Sequence, residues 1–130
     1  METVVADEKR ILVVEDNEGL RYAHCKALER AGMVVDCAEN GREAVQMINE
    51  SGPQYCCVVL DMILPQVHGS SVLTHIARVA PDLKVVAVTG FPDRVLFSDP
   101  ADRRVVKAIF VKPVDPRGLA AYLQVLSADD

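Results

Sequence analysis

Ile11-Leu12-Val13-Val14-Glu15-Asp16 and Val58-Val59-Leu60-Asp61 decide the fold. Each is a short, unbroken apolar run that ends on carboxylates. Runs this short and continuous read as parallel strands buried on both faces of a sheet. Two more follow the same plan: Val85–Val88 stops at Thr89, and Ala108–Val111 stops at Lys112. In an open parallel sheet, ligands bind beyond the carboxyl ends of the strands. Glu15, Asp16, Asp61, Thr89 and Lys112 are therefore expected on one rim.

Helical patterns separate these runs. Leu20, Ala23, Ala27, Leu28 and Ala31 recur at helical spacing and stop at Gly32. Met33–Cys37 reads as a second strand. Ala44, Val45 and Ile48 then form the apolar side of a second helix, which Ser51-Gly52-Pro53 ends. Cys56–Leu60 is the third strand. The Pro65–Gly69 loop leads to a third helix bearing Val72, Leu73, Ile76 and Ala80, broken at Pro81-Asp82. Pro100 is read as a limit of about two turns on any fourth helix before it. Pro116 suits the first turn of a last helix that buries Leu119, Tyr122, Leu123 and Leu126. Five strand–helix units imply right-handed crossovers. The fold class is α/β: a doubly wound (βα)5 flavodoxin-like sandwich with a five-stranded parallel sheet of order 2-1-3-4-5.

The chain has 130 residues and a net charge of −5. That length suits one domain with a real core. The negative charge argues against a nucleic-acid surface, and Arg103, Arg104 and Lys107 read as a solvated face. No apolar run reaches the roughly 18–20 residues of a membrane span, and Met1–Lys9 lacks the layout of a signal peptide. A cytoplasmic protein without direct membrane contact is expected. The cysteines at 25, 37, 56 and 57 read as small reduced thiols.

Three carboxylates on one rim repel one another unless a cation joins them. Mg²⁺ suits such a site, because it takes oxygen ligands and retains waters. Zinc does not, since His24, His68 and His75 are too scattered to form a ligand set. A carboxylate can also act as a nucleophile toward phosphorus. Lys112 and Thr89 would then serve the phosphoryl oxygens. Taken singly, each residue has a plain reading: an Asp or Thr after a strand is a turn or cap, and Glu-Asp before a helix compensates its dipole. The joint occurrence at four strand ends argues for a site.

The motifs Ile11-Leu12-Val13-Val14-Glu15-Asp16-Asn17-Glu18, Asp61-Met62-Ile63-Leu64-Pro65-Gln66-Val67-His68-Gly69, Val88-Thr89-Gly90 and Val111-Lys112-Pro113 together resemble the receiver domain of bacterial two-component response regulators, a CheY-like module. The likeness spans about residues 9 to 127, after a polar tail over 1–8, with no output domain in this chain. It implies that Asp61 accepts a phosphoryl group from a histidine kinase or histidine phosphotransfer protein. It also implies that Asp16, Asp61 and the Ile63 carbonyl bind Mg²⁺ directly, with Mn²⁺ as a substitute, and Glu15 through water. Lys112 would pair with phosphoryl oxygens, Thr89 would report phosphorylation, and Lys112-Pro113 would be a cis peptide. Activity would be limited to self-phosphorylation and slow self-dephosphorylation. Output would run through protein contacts on the face of the fourth helix, fifth strand and fifth helix, with room for a phosphorylation-dependent dimer.

Departures from that pattern also stand in the sequence. Receivers commonly carry Tyr or Phe three positions before the lysine; here that position is Ile109, and Phe110 falls one residue late. In a strand, one residue moves a side chain to the opposite face. The stretch Phe91–Pro100 reads as short-helical or mobile. Ile63 and Phe91, two positions after Asp61 and Thr89, are apolar, so no side chain there orients a water, and slow hydrolysis of the acyl phosphate is expected. A protein-binding module that keeps the fold without phosphorylation is the competing reading. Haloacid-dehalogenase-type phosphatases and Toprim nucleases want Asp where Ile63 stands. A flavodoxin would not place Glu15-Asp16-Asn17-Glu18 beside a flavin phosphate.

Overall fold

The structure is a computed structural model and describes residues 9–64, 67–92 and 99–128. Five strands form one sheet: β1 (Arg10–Val14), β2 (Val34–Ala38), β3 (Cys57–Asp61), β4 (Lys84–Thr89) and β5 (Val106–Val111). All neighbours pair in parallel, in the order β2-β1-β3-β4-β5. The helices are α1 (Glu18–Arg30), α2 (Gly41–Ser51), α3 (Gly69–Val79), α4 (Pro100–Val105) and α5 (Pro116–Ala128). The predicted architecture and strand order hold, with strand ends displaced by a residue or two.

Alternation along β1 divides the core in two. Leu12 and Val14 face a cluster with Ala44 and Ile48 of α2 and Val72, Leu73 and Ile76 of α3. Ile11 and Val13 face the other way, onto Cys25 and Leu28 of α1 and Leu119 and Leu123 of α5. Each fully buried Val, Leu or Ile contributes roughly 1.5–3 kcal/mol, against about 1 kcal/mol for a helix cap. Burial on both faces is therefore what fixes β1 and β3 at the centre. No helix among the described residues is long and apolar enough to cross a membrane.

Local signals set the helix ends. Asn17 Oδ1 accepts from Leu20 N at 2.9 Å and starts α1. At its other end Gly32, with φ of +90°, lets Met33 N turn back to Leu28 O at 3.1 Å. Asn40 caps α2 through Glu43 N at 2.8 Å, while Glu43 Oε1 accepts from Glu39 N at 2.7 Å.

Two expectations need correction. Leu20 points outward, and His24 takes an inward position on α1 instead. Pro100 opens α4: Asp99 caps through Ala101 N at 2.9 Å, and a first-turn proline lacks only an N–H that has no partner there; a helix before Pro100 would lie over residues outside those described. Of the stretch Phe91–Pro100, read as short-helical or mobile, residues 93–98 lie outside the described residues. Finally, the structure pairs Cys25 of α1 with Cys37 of β2 in a disulfide, so these two are not the reduced thiols expected.

Candidate functional site

Register brings the rim residues together. Val14 pairs with Leu60, Asp61 with Val88, and Thr89 with Val111. Glu15, Asp61, Thr89 and Lys112 therefore leave four adjacent strand ends at nearly one level. Glu15, Asp16 and Asp61 each place a carboxylate oxygen within 4.8 Å of the others. Glu15, Asp61 and Thr89 are buried, whereas Asp16 is exposed at the mouth.

Lys112 closes the group. Its Nζ donates to Asp61 Oδ2 at 2.9 Å and lies 3.7 Å from Glu15 Oε1. Asp61 Oδ1 accepts from Ile63 N at 2.9 Å, so both oxygens of this carboxylate are engaged. Glu15 Oε2 accepts from Asn17 N at 3.0 Å. Thr89 Oγ1 accepts from Phe91 N at 3.0 Å, and Lys112 N donates to Thr89 O at 2.9 Å. The Lys112-Pro113 bond is cis, as expected.

Electrostatics follow from this crowding. Burial, and then the Asp61 charge, push Glu15 up to about 7, against the opposing pull of the Asn17 N–H and of Lys112. Burial works to lower the Lys112 ammonium, but its hydrogen bond to Asp61 and the charges of Asp61, Glu15 and Asp16 outweigh that and raise it. The cluster thus holds more negative charge than one ammonium neutralises. An all-oxygen donor set, part buried and part open to water, fits Mg²⁺, which keeps several waters among its ligands. Asp16, Asp61 and Glu15 are the side chains that could hold it.

A pH dependence follows. Since folding raises the Glu15 value, its contribution to stability is full below about 4.5 and is lost as pH rises through about 7. A cation held by the three carboxylates would compete with that proton. Thermal melts are expected to show a Mg²⁺-induced rise that is small near pH 5.5 and larger near pH 8, because Glu15 is ionised only in the latter. An equal rise at both pH values would contradict this assignment of Glu15.

Ile109 and Val111 are exposed on the outer face of β5, with Ile109 paired to Ala87. Phe110 lies on the opposite face, its ring centroid 5.5 Å from that of Tyr122 in α5. The one-residue displacement read in the sequence therefore does send the ring away from Thr89. Ile63 and Phe91 are both exposed at the rim. His68 is exposed and His75 half-buried, with His75 Nε2 and Asn49 Oδ1 2.6 Å apart in a hydrogen bond.

Two neighbours of the site were not singled out in the sequence. His24 on α1 is buried, and its Nε2 has no hydrogen-bond partner among the described residues. Burial, and next the charge of Lys112, hold its imidazole below the ordinary value. Arg21 reaches back from the first turns of α1 to the carbonyls of Glu15 and Asp16, at 2.9 and 3.4 Å. Its position five residues after Asp16 was the available signal.

The chain belongs to the response regulator receiver domain family, whose family model matches residues 11–124. It is 32% identical over 105 residues to the response regulator receiver protein CpdR of Brucella abortus (strain 2308), over 78% of this chain and 86% of that protein. It is 29% identical over 123 residues to the sensor kinase CckA of the same strain, where 94% of this chain spans 13% of the longer protein. A receiver domain structure from Clostridium thermocellum superposes with a TM-score of 0.81 over 92% of this chain and 94% of that one, at 22% identity. This is a receiver domain of the two-component type, built on the CheY-like fold.

Proposed function

We propose that this chain is a phosphorylation-driven switch in which Asp61 is the phosphoacceptor. The observation that carries the reading is the convergence of three carboxylates with one lysine, Lys112 Nζ lying 2.9 Å from Asp61 Oδ2. An Asp61 oxygen attacks phosphorus, and the bond from phosphorus to the donor's imidazole nitrogen breaks, its electron pair leaving with the imidazole. The donor is a histidine kinase or histidine phosphotransfer protein. Mg²⁺ would supply positive charge to the phosphoryl oxygens. Asp16, Asp61 and the Ile63 carbonyl would be its direct ligands, and Glu15 would act through water.

Lys112 then passes from Asp61 to a phosphoryl oxygen. The Thr89 hydroxyl can keep its bond from Phe91 N while donating its own proton to another. Mg²⁺-dependent transfer to Asp61 from the small donor acetyl phosphate tests the reading. Intact mass is expected to rise by one phosphoryl group with Mg²⁺ and not with a chelator, and Asp61→Asn is expected to abolish the rise. Failure of the wild-type protein to gain mass from this donor or from a phosphorylated histidine phosphotransfer protein would leave the binding-module reading, which exposed Ile109 at the usual aromatic position favours.

Dephosphorylation is slow in this account, because neither Ile63 nor Phe91 can orient a water. Ile63→Glu or Phe91→Asn is expected to shorten the lifetime of the acyl phosphate by about tenfold, below the roughly 10²–10⁴-fold of a fully positioned acid–base group because an introduced side chain orients a water only in part. A lifetime that lengthens in both variants would contradict it. Output passes to a downstream protein or domain through the face of α4, β5 and α5. Phosphorylation shifts the populations of two states of that face, and a phosphorylation-dependent dimer is one form such output can take.

A further inference from the structure

Asp16 is the one acid of the site whose carboxylate no hydrogen bond orients among the described residues. Glu15 has Asn17 N and Lys112, and Asp61 has Ile63 N and Lys112. Only its backbone therefore sets where the Asp16 carboxylate points. That backbone is gripped from one side by a single group. Arg21 Nη1 donates to Glu15 O at 2.9 Å and to Asp16 O at 3.4 Å, while Nη2 lies 3.7 Å from Glu39 Oε1. The Arg21 side chain is 15% exposed, so its bond to Glu15 O is partly shielded from water, while Asp16 O and Glu39 stand open to it. Its own place is fixed by Arg21 N donating to Asn17 O at 2.9 Å in the first turn of α1. Glu39 is fixed in turn where its N–H meets Glu43 Oε1 at the start of α2.

We infer that Arg21 is a positioning residue of the metal site: one guanidinium holds the Glu15 and Asp16 carbonyls so that the Asp16 carboxylate is preset toward the cation shared with Glu15 and Asp61. The inference rests on the Mg²⁺ reading above. It also runs against simple electrostatics. A positive charge beside a dication site weakens binding by Coulomb repulsion, so removing Arg21 for its charge alone would tighten the site. Removing it as a clamp loosens the site, because supporting groups around metal ligands control affinity strongly. The planar fork of Arg can serve both carbonyls and Glu39 together, which a lysine ammonium on one flexible stem cannot.

The test titrates Mn²⁺ into the metal-free full chain and follows free Mn²⁺ by its electron paramagnetic resonance signal. Arg21→Met is expected to bind Mn²⁺ about tenfold more weakly than the wild type, and Arg21→Lys about threefold more weakly at unchanged charge. Arg21→Met binding as tightly as the wild type, or more tightly, overturns the inference. Should Arg21→Met not fold, Arg21→Lys decides alone: weakened binding supports the clamp and wild-type affinity overturns it. Asp16→Asn separates the two levels of the argument. If the wild type binds Mn²⁺ and Asp16→Asn does not, the metal reading stands whatever Arg21 does. If Asp16→Asn leaves binding unchanged, the metal reading falls and the clamp with it.

Discussion

Lys112→Met is expected to produce the largest change in the site, in two measurable forms. Without the ammonium, Asp61 and Glu15 share a buried pocket with no cation. Breaking a buried pair from one side costs about 3–5 kcal/mol. Lys112 is partly open to water, so about 2–3 kcal/mol is the fitting range here. The loss is greatest in metal-free protein at alkaline pH. It shrinks in acid, where Glu15 takes up its proton, and Mg²⁺ restores part of it by supplying the missing charge. Denaturant melts at two pH values, with and without Mg²⁺, read this pattern directly; a pH-independent loss would mean that Lys112 acts through packing. Phosphorylation of Asp61 in the same variant is expected to slow by about 10²-fold or more, the scale for removing one group that stabilises developing charge.

Gly69→Ala is the second large effect, and its cause is steric. A Cβ at Gly69 would stand 2.5 Å from Met62 Cα and 2.6 Å from Asp61 O. Both are backbone atoms, so neither can swing aside as a side chain could. Relief requires α3 to withdraw or the Asp61–Met62 peptide to move. Overpacking of this kind costs about 3 kcal/mol, which for a chain of this size lowers the melting temperature by roughly 10 °C. The displaced peptide carries Asp61, so phosphorylation should fall as well. A melting temperature within about 2 °C of the wild type would show that the α3 start yields easily, and that Gly69 is not what sets the distance between α3 and β3.

Much of this was legible because the parallel sheet leaves a strong trace. Strands buried on both faces show as unbroken apolar runs, and the residue that ends each run must sit at the rim. Glu15, Asp61, Thr89 and Lys112 were therefore placed by periodicity alone, before any resemblance. Ile109 and Phe110 were legible for the same reason, since a period of two assigns opposite faces without ambiguity. What the sequence hid depended on contacts between elements. His24 replaces Leu20 on the inner face of α1 because the helix is rotated by its packing on β1 and α5, not by the hydrophobicity of its residues. Asp99-Pro100 is a cap followed by a first-turn proline, which starts α4, a start that reading Pro100 only as a stop did not include. The proximity of Cys25 and Cys37 and the reach of Arg21 arise only when α1 lies against β2 and the β1–α1 turn.

The central claim is that Asp61, and no other residue, takes the phosphoryl group. An acyl phosphate is reduced by borohydride to an alcohol, which converts the phosphorylated aspartate into homoserine and marks it permanently. Phosphorylating the wild-type chain with acetyl phosphate and Mg²⁺, reducing it, and mapping the modified peptide therefore locates the acceptor. The account predicts homoserine at position 61 alone, dependent on Mg²⁺ and absent without the phosphodonor. Homoserine at Asp16 or any other carboxylate, with Asp61 intact, would contradict it.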